Sequence, residues 1–228
     1  MMTLDMIPTG IKPLDSLIGG WRRGIITLLI GESGVGKSTL LIASAASASL
    51  SGVRVNYIDT EGNPVEEVAP RVAVEHARDG MESLEEALSR LERLPRDLLE
   101  NSLIIVDSIT YHYHALIRAS LNEAERDRLQ SRLEAIVYKL HNIAVRCNAA
   151  AVISTWPTSM RGEEEEDFVG GFAVKTYSRL QLRMCATESS DVRLIEVIKH
   201  QSPRMYKRSV LIRLSEVLKA LEQVEVVE

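Results

Sequence analysis

The residues with the clearest chemical meaning run consecutively: Gly31-Glu32-Ser33-Gly34-Val35-Gly36-Lys37-Ser38, a full match to GxxxxGK[ST]. A loop that wraps a triphosphate must aim several backbone N–H groups inward, and side chains there would block the approach. Gly31, Gly34 and Gly36 supply the permissive backbone. Lys37 brings a compact positive charge to the β- and γ-phosphates, and the Ser38 hydroxyl can ligate Mg²⁺. With Thr39, Ser38 opens a helix whose free N–H groups add partial positive charge. Mg·ATP is therefore expected along residues 31–39. Two acids complete the chemistry. Asp107 closes Leu103-Ile104-Ile105-Val106 and is placed to hold Mg²⁺, usually through water. Glu61 follows another apolar run and suits the orientation of an attacking water. A solvated loop glutamate fits Glu61 equally well on position alone.

These residues need a scaffold that brings strand ends together. Residues 25–30 are a short apolar run fit for a buried parallel strand, and residues 38–50 are rich in Ala and Leu until Ser51-Gly52. Strand, glycine loop and helix thus occur in the required order. Residues 53–58, 103–107 and 149–154 read as further strands, and parallel α/β sheets place ligands at the carboxyl ends of their strands. Residues 63–101 read as helical, interrupted at Gly80. Ser83-Leu84-Glu85-Glu86 there has capping-box form, and Leu84, Leu88, Leu91 and Leu94 stand behind it as core, with Pro95 as the stop. Leu129, Leu133, Ile136, Val137, Leu140, Ile143 and Ala144 share one face of a long helix.

Other residues admit blander readings. Trp21, after Gly19-Gly20, is expected to be a half-buried packing residue. Tyr111-His112-Tyr113-His114 reads as a helix start, with ligand contact as the alternative; no Cys or acid nearby completes a zinc spacing. The run Glu163-Glu164-Glu165-Glu166-Asp167 reads as part of a solvated loop spanning 158–172. Residues 177–184, 192–198 and 209–214 have strand character. The turn 199–208 between the last two carries Lys199, Arg204, Lys207 and Arg208 with no acid.

With 228 residues, 45% hydrophobic and 26% charged, one sizeable core is expected and two full domains would be cramped; the chain reads as a single domain over 1–228. A formal charge of −5 disfavours general, charge-driven binding to nucleic acid while leaving room for a local basic patch. Cys147 and Cys185, far apart and without CxxC spacing, read as reduced residues of a cytoplasmic protein, with a disulfide left open. The first residues, with Asp5, do not form a signal peptide, and no apolar stretch approaches the roughly 20 residues that span a membrane.

Taken together, the order of parts resembles the RecA-like ATPase core, most closely the archaeal RadB-type paralogues of the RadA recombinase. The matching residues are Thr9-Gly10, Leu14-Asp15, Gly19-Gly20, the glycine loop, Tyr57-Ile58-Asp59-Thr60-Glu61-Gly62, Val106-Asp107-Ser108-Ile109-Thr110, Gly170-Gly171 and Lys199-His200. The resemblance implies an α/β fold with a mostly parallel central sheet flanked by helices and C-terminal antiparallel strands. It implies Glu61 as catalytic glutamate, Lys37 beside it, and Lys199 reaching the γ-phosphate bound by a neighbouring subunit; a solvated strand-end lysine is the other reading of Lys199. It also implies a role in recombinational repair, with a slow Mg²⁺-dependent ATPase that assists a recombinase or repair protein as the expectation; the acidic loop and the lone basic turn lead to an expectation of weak DNA binding, and a monomer or small homo-oligomer with no membrane partner is expected. A KaiC-like, nucleotide-gated scaffold or sensor is the alternative. The sequence departs from recombinases in four places. The core is expected to begin almost at residue 1, without the helical DNA-binding domain and polymerisation linker that recombinases carry in front. Thr155-Trp156 stands where recombinases carry Asn-Gln. The 158–172 loop is acidic, and the basic turn reads Lys199-x-Gln201 where relatives often place two cations.

Overall fold

The computed structural model describes residues 5–158 and 168–225; the acidic run 163–167 lies outside them. In chain order the elements begin with β1 (Met6–Ile7), α1 (Lys12–Ile18), β2 (Trp21–Arg22), β3 (Ile26–Gly31), α2 (Lys37–Leu50) and β4 (Val55–Asp59). Next come α3 (Val65–Val68), β5 (Ala73–His76), α4 (Met81–Arg93), α5 (Arg96–Leu99), β6 (Leu103–Asp107) and α6 (Tyr111–Ala119). The chain continues with α7 (Glu123–Arg146), β7 (Ala150–Thr155), α8 (Gly171–Tyr177), β8 (Ser178–Ala186), β9 (Val192–Lys199), β10 (Ser209–Arg213) and α9 (Leu214–Glu225).

The apolar runs become the middle of an eight-stranded sheet ordered β10-β9-β8-β3-β7-β6-β4-β5. Strands β8, β3, β7, β6, β4 and β5 run parallel, and β9 and β10 add antiparallel hairpin pairings at one edge. The architecture is α/β, as the resemblance implied. Strands β3, β6 and β7 are buried at every position, which is why they read as continuous hydrophobic runs without alternation. One face of the sheet is covered by α1, α2 and α9, the other by α4, α7 and α8. Ala43, Ala45, Ala46 and Ala48 let α2 lie close to the strands it covers. α7 starts cleanly because the Asn122 side chain accepts from the Glu125 N–H at 2.9 Å, while Glu125 accepts from the Leu121 N–H at 2.9 Å.

Several expectations are corrected. Residues 63–101 are not uniformly helical. Pro70 cannot extend α3, and the β-branched Val72 and Val74 flank and enter β5, which pairs with β4 as the sheet edge. Ser83 does not cap α4; the helix begins at Met81 behind Gly80, and the Ser83 hydroxyl donates to the Gly80 carbonyl at 2.8 Å. Leu84, Leu88 and Leu91 are core, whereas Leu94 is 38% exposed just past the helix end. Trp21 is fully buried, because β1 and β2 fold a small ribbon over the core on the α1–α2 face of the sheet. The segment 158–172 is not loop throughout, since α8 starts at Gly171, and α9 follows β10 directly.

Candidate functional site

Parallel pairing sets the site. Register places Ile30 beside Thr155, Val106 beside Ile153 and Asp59 beside Asp107, so the carboxyl ends of β3, β7, β6 and β4 open on one cleft. The glycine loop leaves β3 into this cleft. A Cβ on Gly31 would lie 2.8 Å from the Met184 carbonyl oxygen and from a Val35 methyl, so the loop's root tolerates no side chain. Gly36, at φ +105°, turns the chain into α2 without any side-chain cap, which leaves the first helical N–H groups for a ligand. Glu32, Ser33 and Gly34 line the exposed rim, Val35 is buried beneath it, and Ser38 and Thr39 are half-buried at the helix mouth.

Lys37 crosses back over the loop. Its Nζ donates to the Gly31 carbonyl at 2.8 Å and the Glu32 carbonyl at 3.0 Å, and it lies 6.0 Å from the Trp156 ring centre. Burial lowers its pKa, against the raising pull of Asp107 and Glu61. Trp156 in turn packs on Tyr111 and His114, at 5.9 and 5.6 Å between ring centres. The helix start expected at Tyr111 is present. Its rings reach the cleft through Trp156, while buried His112 bonds the Ala77 carbonyl oxygen at 2.7 Å.

Asp107 is buried and held on both oxygens. Oδ1 accepts from the Ser154 hydroxyl at 2.5 Å; Oδ2 accepts from the Tyr57 hydroxyl at 2.8 Å and from Asn63 Nδ2 at 3.3 Å. An ionised carboxylate offers about four acceptor positions. Three are occupied, and one remains to receive a water on a cation. Ser38 and Asp107 are hard oxygen donors of the kind Mg²⁺ takes, so these residues fit that ion. The uncapped amides and Lys37 fit the phosphates.

Glu61 stands at the rim of the same cleft, shaped by a residue whose role the sequence alone did not show. Asp59 accepts from the backbone N–H of Glu61 at 3.3 Å, Gly62 at 3.1 Å and Asn63 at 3.1 Å. It also accepts from Asn63 Nδ2 at 3.1 Å and from Arg78 Nε and Nη2 at 3.0 and 2.7 Å. Burial alone would raise the Asp59 carboxyl; the bonds from Arg78 and Asn63 outweigh it and hold the pKa below its ordinary value. For Glu61, burial and the Asp107 charge push the carboxyl up to about 7 against the pull of Lys37. Thr60 Oγ1 accepts from the Ser108 N–H at 2.7 Å and ties the Glu61 turn to the end of β6.

The structure therefore brings Gly31 to Thr39, Glu61 and Asp107 together, and does not bring Lys199 to them. Lys199 pairs with Gln181, which pairs with Leu28, so it sits toward the amino end of β3 within its own chain. Its Nζ donates to the Lys175 carbonyl at 2.7 Å, and burial with the Arg179 and Lys175 charges lowers its pKa. Asn63, Arg78 and Ser154 are site residues that the sequence analysis did not single out, while Tyr57, Asp59 and Trp156 were named there only as part of the family pattern, without these contacts. The available signal was a polar group interrupting or ending an otherwise apolar strand, as at Tyr57, Asp59 and Ser154.

Comparison with known proteins shows the family of the chain. The family described as AAA domain matches residues 2–155. The DNA repair and recombination protein RadB of Thermococcus gammatolerans is 38% identical over 127 residues, 48% of this chain and 54% of that protein. The RadB of Thermococcus kodakarensis is 36% identical over 157 residues, covering 61% and 68% respectively. The RadB of Methanococcoides burtonii is 28% identical over 211 residues, covering 87% and 90%.

Proposed function

Because this chain belongs to the AAA domain family and to the RadB-type, RecA-like proteins, we propose that it is a slow, Mg²⁺-dependent ATPase acting as an accessory factor in DNA recombination and repair. The observation that carries this reading is the convergence of the glycine loop, Lys37, Asp107 and Glu61 at adjoining strand ends, with the two carboxylates held in different ways. Asp107, locked by Tyr57 and Ser154, is a fixed ligand position. Glu61, projecting from a turn braced by Asp59, is the group whose pKa near neutrality suits accepting a proton from water. Ser38 and Asp107 would hold Mg²⁺, which would supply neutralisation of the charge on the phosphates. Lys37 holds the phosphates, the α2 amides orient them, and Glu61 aligns the water and takes its proton.

The whole chain serves as one such ATPase unit, as a monomer or small homo-oligomer, with a recombinase or repair protein as partner. DNA binding is weak and salt-sensitive, since the turn at 199–208 concentrates cations in a chain whose net charge is −5. The test is turnover in Mg·ATP, with and without single- and double-stranded DNA, for wild type and Glu61→Gln. The variant is expected to bind ATP normally and to lose hydrolysis by about 100-fold or more. Undiminished turnover would remove Glu61 from the role and favour a nucleotide-gated scaffold.

A further inference from the structure

Donors hold the carbonyls of Gly31, Glu32, Val35 and Gly36 in the glycine loop. Lys37 Nζ donates to Gly31 and Glu32 at 2.8 and 3.0 Å, the Val35 N–H also donates to Glu32 at 3.3 Å, and the Leu40 N–H donates to Gly36 at 3.0 Å. Those donors belong to the loop and its own helix. The donor to Val35 comes from elsewhere: Arg193 Nε of β9, 158 residues further along the chain, reaches the Val35 carbonyl at 2.8 Å. We infer that Arg193 is a positioning residue for phosphate binding, acting through the Val35–Gly36 peptide that it holds. The inference rests on the nucleotide reading above and extends the phosphate machinery to β9, beyond residues 2–155 that match the AAA domain family.

Peptide geometry carries the effect. Across a planar trans peptide the carbonyl and the next N–H point in opposite directions. Drawing the Val35 oxygen toward β9 therefore turns the Gly36 N–H away from β9. The rear of the loop is packed on that side: a Cβ on Gly36 would stand 3.0 Å from a Leu214 methyl and 3.3 Å from the Met184 methyl. The N–H is thus aimed to the front, with Lys37 and the first amides of α2. Among the described residues nothing accepts from it. Val35 stands between two glycines, whose backbones visit many conformations unless something holds them. The bond from Arg193 narrows that freedom at the peptide next to Lys37.

Arg193 is itself fixed. Its Nη1 donates to the Ser190 and Val192 carbonyls at 2.8 and 2.9 Å, so the turn that enters β9 grips the far end of the guanidinium. Asp191 in that turn accepts from the N–H and the hydroxyl of Ser215, each at 2.7 Å, which ties the turn to the start of α9. A planar guanidinium carries its donors in a rigid fork and can serve the turn and the loop at once. Nη1 alone would suffice to close the turn; Nε is the atom that reaches the loop. The result is a backbone dipole aimed before a phosphate arrives, the kind of preorganisation that strengthens electrostatic contacts at no cost in rearrangement.

The experiment measures binding of Mg·ATP and of inorganic tripolyphosphate by calorimetry, for wild type, Arg193→Met and Arg132→Met. Arg132→Met controls for stability, since it removes a guanidinium that ties α7 to Glu82 and Glu85 on the opposite face of the sheet. Arg193→Met should weaken both ligands by about tenfold, the usual contribution of one hydrogen bond to a charged group. The Mg·ATP concentration for half-maximal turnover should rise by the same factor, with the saturated rate within about twofold of wild type, because the contact is made equally before and during reaction. Arg132→Met should lower the melting temperature and leave both affinities at their wild-type values. Unchanged affinities in Arg193→Met would overturn the proposal. So would an equal loss of affinity in the two variants, which would make Arg193 a tie in the fold and nothing more. Tripolyphosphate bound equally by wild type and Lys37→Ala would instead sink the nucleotide reading itself, and this inference with it.

Discussion

The two ends of the sheet hold their charges in opposite ways. At the carboxyl end three charged groups have their positions set by neighbours: Asp59 by Arg78 and a turn of backbone N–H groups, Asp107 by Tyr57, Asn63 and Ser154, and Lys37 by two carbonyls. At the amino end, Lys175, Arg179 and Lys199 crowd together, and Lys199 is anchored by a backbone carbonyl. The first arrangement is preorganised, so a ligand meets dipoles already aimed and little reorganisation remains at the moment of reaction. The second is a collection of like charges whose mutual repulsion an incoming anion would relieve.

The largest expected effect breaks the first end outright. Lys37→Ala removes the cation that the loop folds around, and Mg·ATP affinity should fall by about 100-fold or more while the melting temperature stays near wild type. Isothermal calorimetry decides it. Equal binding by both proteins would mean that the carboxyl end is no more a phosphate site than the amino end.

Next in size is Asp59→Asn, which leaves every ligand-facing group in place and loosens only the brace under Glu61. Turnover should drop by up to about 100-fold with ATP affinity changed little, because a misplaced catalytic group costs rate before binding. The brace also carries a pH signature. The Asp59 pKa is depressed in the fold, so its contribution to stability is fully present above the ordinary aspartate value and is lost as pH falls through the lower folded one. Arg78→Ala should weaken that acid limb, seen as a smaller difference in melting temperature between pH 6 and pH 3. An unchanged acid profile in Arg78→Ala would show that the pair does not hold the turn.

The contrast between the ends explains what could be read from the chain itself. Residues 31–38 stood out because a phosphate loop demands particular types at fixed local spacing, Asp107 because an acid ends an apolar strand, and the buried strands because parallel strands are apolar throughout, whereas Glu61 was singled out over a solvated loop residue only by the family resemblance. The braces were not legible, since Asp59–Arg78, Tyr57–Asp107 and Asp107–Ser154 are contacts between elements that only strand order brings together. Residues 63–101 misled for a related reason: Val65, Val68 and Val72 keep helical spacing across Pro70, yet the sheet edge takes Ala73–His76 as a strand. α9 went unread, and its place behind the glycine loop depends on its packing against α2.

A finer test of the carboxyl end is Tyr57→Phe. It keeps the packing of a buried ring and removes one hydrogen bond to Asp107. Outer partners of this kind typically change metal affinity by about 10-fold, so the Mg²⁺ concentration giving half-maximal turnover should rise by about that factor, with the rate at saturating Mg²⁺ nearly unchanged. A fall in the saturated rate with no shift in the Mg²⁺ requirement would place Tyr57 on Glu61's side of the chemistry.

The smallest expected effect sits at the amino end and asks what its cations meet. Lys199 cannot serve the loop of its own chain, because the sheet register places it level with Leu28. Acting on a nucleotide, it would have to act on one held by a second copy, where a cation stabilises charge developing on the transferred phosphoryl. Solvent reaches this side chain, and exposed charge pairs contribute about 1 kcal/mol, so Lys199→Ala should lower specific activity by only about fivefold. The signature is in its concentration dependence. Wild-type activity per molecule should rise as the protein is concentrated, and that of Lys199→Ala should stay flat. Mixing Lys199→Ala with Glu61→Gln should recover activity, since a junction then forms with Glu61 from one copy and Lys199 from the other. Flat wild-type activity together with no recovery on mixing would leave Lys199 as a strand-end lysine. The amino end would then face an anion other than a neighbour's nucleotide, and the difference between the two ends would lie in their partners rather than in two halves of one reaction.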